Sequence, residues 1–117
     1  MIRIEVRYIP EKVDSVTRAR LLKELPGIIL AEFTGPADVE FRSRFTEIEM
    51  SEVSPENVNV APLTVNVFVS RSRFKESVNT TAVLEVSRQI GTLLPKSVGH
   101  MRMRVRFEDA ITEDLFL

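Results

Sequence analysis

Residues 63–70 read Leu-Thr-Val-Asn-Val-Phe-Val-Ser, so that Leu63, Val65, Val67 and Val69 alternate with Thr64, Asn66, Phe68 and Ser70. Period two is the spacing of a strand with one face on a core, because successive side chains point to opposite sides of a sheet. This stretch is the most apolar of the candidate strands and is expected near the sheet's centre. The same alternation recurs on either side of it. Near the start of the chain, Ile2, Ile4, Val6 and Tyr8 alternate with Arg3, Glu5 and Arg7, and near its end Met101, Met103, Val105 and Phe107 alternate with His100, Arg102, Arg104 and Arg106. Another strand is expected where Val39, Phe41 and Phe45 alternate with Glu40, Arg42 and Arg44; the apolar phase then switches to Ile48 and Met50, as at a bulge or bend.

Helical spacing fills the intervals. Asp14 or Ser15 can cap a helix in which Val16, Ala19, Leu22, Leu25 and Ile29 recur three and four residues apart. Pro26-Gly27 predicts a kink, or a stop near Glu24 followed by a short helix over 26–33, and Thr34-Gly35-Pro36 ends the unit. In the second half Val78, Ala82, Val86, Ile90 and Leu94 step by four, with Val83 and Leu93 beside them and Pro95 closing the run. Val78, Thr80, Thr81, Val83 and Val86 are β-branched, so this helix must depend on packing against a sheet. Residues 51–62, with two prolines, suit a surface loop between the halves. The reading is therefore one α+β domain over 1–117 in the order βαββαβ, a four-stranded sheet with two helices on one face. Its halves span about 1–50 and 63–108, and a tail over 109–117 ends in Leu115-Phe116-Leu117, apolar enough to dock on the domain or a neighbour.

Composition removes several kinds of chemistry. A chain of 117 residues can bury roughly two-thirds of its unfolded surface without staples. The absence of cysteine excludes disulfides, zinc thiolates, iron-sulfur ligation and thiol nucleophiles. His100 is the only histidine, so neither a two-histidine metal site nor a Ser-His-Asp triad with a spare ligand can be assembled. Gly27, Gly35, Gly91 and Gly99 are scattered and make no phosphate loop or dinucleotide fingerprint. No metal or cofactor is expected. Glu47, Glu49 and Glu52 could offer a carboxylate pair, but their spacing is equally that of a solvated edge. No apolar run approaches the ~18 residues that span a bilayer, and Met1 is followed by a strand pattern rather than a signal segment, so a cytoplasmic protein without membrane contact is expected.

The net charge is -1, yet twelve of the sixteen basic residues are arginine. If all four strands share a sheet, its uncovered face collects Arg3, Arg7, Arg42, Arg44, Arg102, Arg104 and Arg106 against Glu5 and Glu40, seven positive against two negative. Three readings stand: a solvated face on a monomer, a subunit interface or channel that meets carboxylates or small anions, and a nucleic-acid surface. For the last, Phe68 is the one aromatic placed to stack a base, so nucleic acid is the weakest partner. The tetrapeptide Arg-Ser-Arg-Phe occurs at 42–45 and 71–74 in inequivalent positions and is read as coincidence.

Val67-Phe68-Val69-Ser70-Arg71-Ser72 resembles the strand and Gly-Arg-Ser helix start of the tautomerase superfamily, with Ser70 replacing the glycine. Arg42-Ser43-Arg44, after Val39-Glu40-Phe41, is similar to the second strand of that superfamily's 5-carboxymethyl-2-hydroxymuconate isomerase branch, where arginine contacts the substrate carboxylate. The length and two-half plan fit the same superfamily, which includes macrophage migration inhibitory factor. The resemblance implies a homotrimer of βαββαβ subunits that binds a small carboxylate through Arg42, Arg44 and Met1. The base that it implies is an amino-terminal proline, and position 2 here is Ile2. A primary amine at Met1, with a reference pKa near ~8, lacks the rigid secondary amine of proline, so keto-enol isomerase activity is expected to be weak or absent. The alternative is a ferredoxin-like module that binds RNA or a partner protein through the arginine face.

Overall fold

Two apolar rows, one on each of two neighbouring strands, set the architecture. The computed structural model describes residues 2–57, 60–70 and 78–108. Among them run β1 (Ile2–Tyr8), α1 (Ser15–Thr34), α2 (Val39–Ser43), β2 (Glu47–Glu52), β3 (Leu63–Ser70), α3 (Thr80–Leu93) and β4 (Met101–Glu108), with a 3-10 turn at Lys96–Val98. Met1, the Arg71–Phe74 copy of the tetrapeptide and the tail over 109–117 lie outside the described residues.

The sheet has the order β2-β1-β3-β4. β1 and β3 are antiparallel at its centre, with Ile4 opposite Val67 and Val6 opposite Val65. β2 runs parallel to β1, and β4 runs parallel to β3. Parallel neighbours need a crossover, and α1 and α3 supply one in each half. The result is an α+β fold of two strand-helix-strand units joined along the central pair.

Burial follows the alternation. Ile4, Val6, Leu63, Val65, Val67 and Val69 are fully buried beneath Leu21, Leu25, Ile29 and Phe33 of α1 and Val86 and Ile90 of α3, so both helices cover the same face. The edge strands do less, since Ile48, Met50, Met101, Met103 and Val105 are half-buried. Both long helices start as their side chains dictate: Asp14 Oδ1 accepts from the Thr17 amide at 2.8 Å, and Asn79 Oδ1 accepts from the Ala82 amide at 3.0 Å. The Thr17 amide also holds the Asp14 carboxyl below its ordinary range.

One expectation narrows and another fails, for physical reasons. Of the two outcomes expected at Pro26, a stop does not occur, since the 20-residue helix α1 continues through it. A proline inside a helix costs about 3 kcal/mol, whereas burying Leu25, Ile29, Leu30 and Phe33 gains about 1.5–3 kcal/mol each and outweighs it. The second strand is not at 39–45. Val39–Ser43 is a short helix, and the strand is Glu47–Glu52, where the apolar phase appeared to switch. Phe41 and Phe45 meet edge to face with centroids 5.2 Å apart, a contact that four-residue spacing makes on a helical turn. On a strand the same residues would stand about 13 Å apart.

Phe33→Ala removes one of the largest fully buried side chains and is expected to cost about 3–5 kcal/mol. Urea unfolding checks it, with exposed Leu84→Ala as the control expected to stay within about 0.5 kcal/mol of wild type.

Candidate functional site

Strand register decides which residues meet. Ile2 pairs with Val69, Arg3 with both Glu47 and Phe68, Phe68 with Arg106, and Ser70 with Glu108. The starts of β1 and β2 therefore lie at the same end of the sheet as the finishes of β3 and β4. The corner of Arg44, Phe45 and Thr46, which leads from α2 into β2, lies at that end too.

The helix-free face differs from the one expected. Arg42, Arg44 and Glu40 leave it with the reassignment of residues 39–45, while Glu47, Glu49 and Glu108 join it. Five arginines, Arg3, Arg7, Arg102, Arg104 and Arg106, now face four glutamates, Glu5, Glu47, Glu49 and Glu108. The positive surplus on which an RNA-binding reading depended falls from five to one.

Arg3 is engaged. Its guanidinium lies 4.0 Å from the centroid of the Phe68 ring, 3.4 Å from Glu108 and 4.0 Å from Glu49. Arg7 Nε lies 2.8 Å from Glu5 Oε1, which also accepts from Asn66 Nδ2 at 3.3 Å. Asn66 Oδ1 is buried without a donor among the described residues. Arg102, Arg104 and Arg106 are exposed and make no ion pair among the described residues.

Arg42 and Arg44, paired in the sequence reading, have separate fates. Arg42 donates to Ala37 O at 3.0 and 2.5 Å, to Gly35 O at 2.7 Å and to Thr34 Oγ1. It ties together the turn that follows α1, through the carbonyls of Gly35 and Ala37 and the hydroxyl of the helix's last residue, Thr34, beside Gly35 at φ 91°, a value glycine adopts freely. Arg44 is exposed, makes no ion pair among the described residues, and lines a surface hollow of about 510 Å³ with Pro36, Asp38, Val39, Glu40 and Phe41. Asp38 and Glu40 partly offset its charge there. Phe45, 68% exposed, stands next to it in the chain.

A second hollow of about 750 Å³ lies against α3, lined by Glu32, Asn79, Thr81, Ala82, Leu84, Glu85 and Arg88. Of its two carboxylates, Glu85 accepts from Arg88 at 2.6 and 3.0 Å and from Gln89 at 3.1 Å. Those donors, Arg88 first, lower its pKa to about 2. A carboxylate so satisfied is a poor general base. His100 is exposed, and the described residues contain no group of three or more His, Asp or Glu arranged to hold a metal ion.

Sequence reasoning missed the Arg3-Phe68-Glu108 contact and the capping role of Arg42. Phe68 was legible as an aromatic on the outer row, but its partner follows from register alone. For Arg42 the available signal was Thr34-Gly35-Pro36, a turn whose carbonyls have no helical or strand partners.

No protein-family model and no curated protein matches this chain. Solved structures do. A fused 4-OT wild-type symmetric trimer aligns with TM-score 0.66 at 17% identity over 92% of this chain and 85% of that one. N1, a member of the cis-3-chloroacrylic acid dehalogenase family, aligns with TM-score 0.67 at 11% identity, covering 92% and 75%. A macrophage migration inhibitory factor-like protein from Entamoeba histolytica aligns with TM-score 0.56 at 7% identity, covering 92% and 89%. The fold is thus tautomerase-like, as the sequence resemblance implied.

Two outcomes are expected. Arg42→Ala strips several charge-assisted bonds from the turn after α1 and should cost about 1.5–3 kcal/mol in chemical unfolding, whereas exposed Arg44→Ala should stay within about 0.5 kcal/mol of wild type. Glu85 should titrate near 2 in a carboxyl NMR titration and return toward the ordinary glutamate range in Arg88→Ala. Because its folded-state pKa is depressed, its contribution to stability is complete above the unfolded value and fades as pH falls from about 4.5 toward 2.

Proposed function

We propose that the protein is a tautomerase-fold homotrimer of the cytoplasm that binds a small carboxylate at the sheet end carrying Arg44, with weak or absent keto-enol isomerase activity. One observation carries the reading: register brings the Arg44 corner to the end of the sheet where β1 begins, and Arg44 has no ion pair among the described residues. A guanidinium offers a carboxylate two parallel donors, and exposed Phe41 and Phe45 supply apolar surface for the rest of a small acid. In this reading Arg42 acts through the turn it holds. Met1, which lies outside the described residues, is the third residue of the proposed site.

The limit on catalysis comes from position 2. Ile2 is 5% exposed and belongs to the core row of β1, so no proline stands at the strand's first pairing position. The primary amine of Met1 would be the base instead, without the ring that holds a secondary amine in place. Trimeric assembly draws support from the fused 4-OT trimers of the same fold. No helix among the described residues is long and apolar enough to cross a membrane.

Calorimetric binding of an aromatic 2-oxo acid, read beside its enol-keto conversion rate, tests the proposal. Arg44→Ala is expected to weaken binding about tenfold, the equivalent of one charge-assisted bond, while both proteins convert the enol near the uncatalysed rate. Equal affinities would remove the carboxylate role. A wild-type rate far above background, abolished by blocking the Met1 amine, would show a working isomerase.

A further inference from the structure

Arginines on the helix-free face divide by whether a carboxylate meets them. On β1, Arg3 lies against Glu49 and Glu108, and Arg7 lies 2.8 Å from Glu5. On β4, Arg102, Arg104 and Arg106 are exposed and make no ion pair and no side-chain hydrogen bond among the described residues. Glu108, the acid nearest to them in the chain, is taken by Arg3 at 3.4 Å. Alternate residues of a strand stand about 6.7 Å apart, so three like charges share one side of β4 within about 13 Å. Neighbouring charges therefore lie inside the screening length of about 8 Å at physiological salt and repel one another. Charge that serves solubility alone is mixed in sign, as it is on β1. On β4 the sign is uniform.

The neighbouring strand leaves this row open to a ligand. Register sets Thr64 beside Arg102, Asn66 beside Arg104 and Phe68 beside Arg106, and none of the three is acidic. Asn66 is 8% exposed; its Nδ2 donates to Glu5, and its Oδ1 is the buried acceptor without a donor among the described residues. Of its two cross-strand neighbours, ionised Glu5 has no proton to give, whereas Arg104 carries several N–H donors. A guanidinium that gave one N–H to Oδ1 would keep the others for an anion. The Arg3 guanidinium already lies over the Phe68 ring, so the row offers charge without a free platform on which a base could stack.

We propose that this side of β4 binds a short chain of phosphates, with Arg102, Arg104 and Arg106 each holding phosphoryl oxygens and Arg104 also donating to Asn66 Oδ1. The guanidinium fork matches phosphate bidentately, and every basic residue of the row is arginine. A single phosphate leaves part of the row unneutralised, whereas a chain relieves the repulsion along all of it. The Arg44 corner leads into β2, and β1 and β3 separate β2 from β4, so this ligand and the small carboxylate occupy different places. The inference goes beyond the function proposed above and does not rest on it.

Calorimetric titration of the intact protein with sodium tripolyphosphate, at two salt concentrations and beside orthophosphate, tests the site. Tripolyphosphate is expected to bind about tenfold more tightly than orthophosphate or better, with an affinity that falls steeply as salt rises. R104Q and R106Q should each weaken it about tenfold, the equivalent of one charge-assisted bond, and R104Q/R106Q should weaken it further. K23Q, which removes an exposed charge on α1, should leave the affinity unchanged. In NMR spectra the Asn66 side-chain amide and Arg104 Nε should shift together as tripolyphosphate is added. ATP, which carries the same chain on a nucleoside, should bind no more tightly. Circular dichroism checks that each variant is folded. No binding of tripolyphosphate, unchanged affinity in R104Q/R106Q, an equal loss in K23Q, or orthophosphate binding as well as tripolyphosphate would overturn the proposal. ATP or single-stranded RNA binding far more tightly than tripolyphosphate would also overturn it, by showing that a base is read.

Discussion

The structure depends on one constraint: the apolar rows of β1 and β3 must be dry together. Ile4 and Val6 lie opposite Val67 and Val65 on neighbouring antiparallel strands and are completely buried beneath two helices. Once these strands share the centre, each half adds its second strand outward, β2 beside β1 and β4 beside β3. That arrangement brings the finish of β3 to the start of β1. It also leaves β2 and β4 as edges, with side chains only partly covered. The sheet end near Arg44 and the two open edges are thus consequences of the central pair rather than independent features.

Arginine shows how much position adds to residue type. Arg3 is held over a phenyl ring between two glutamates, and Arg42 is taken up by the carbonyls of the turn after α1. Arg44, two residues further, has neither kind of partner among the described residues, and the row on β4 is likewise unpaired. A guanidinium already satisfied by carbonyls has little left for a ligand, while an unpaired one keeps its donors. Glu85 makes the same point with the opposite sign, since its donors keep it ionised into strong acid.

Much of the fold was legible. Strict alternation at 2–8, 63–70 and 101–107 marked three strands, and three- and four-residue spacing with Asp14 at its head marked the first helix. What misled was a pattern with two solutions. Val39, Phe41 and Phe45 satisfy a strand's period as well as a helical turn's, and the structure has the helical turn, with Arg42 bonded back to Gly35 and Ala37 in the preceding turn. At Pro26 the sequence left two outcomes open for a related reason, because the proline's penalty is local whereas the packing of Ile29 and Phe33 is not. The charge of the sheet face was out of reach for want of register: the residues were all visible in the sequence, but which row each joins depends on the pairing of strands.

The central claim is the register that joins β1 to both β3 and β2, and interstrand proton contacts measured by NMR test it most directly. Contacts tying Ile4 to Val67 and Arg3 to Glu47 are predicted. Contacts from β1 to residues 39–45 instead, or to β4 in place of β3, would contradict the account, and the sheet end and the charged edges would dissolve with it.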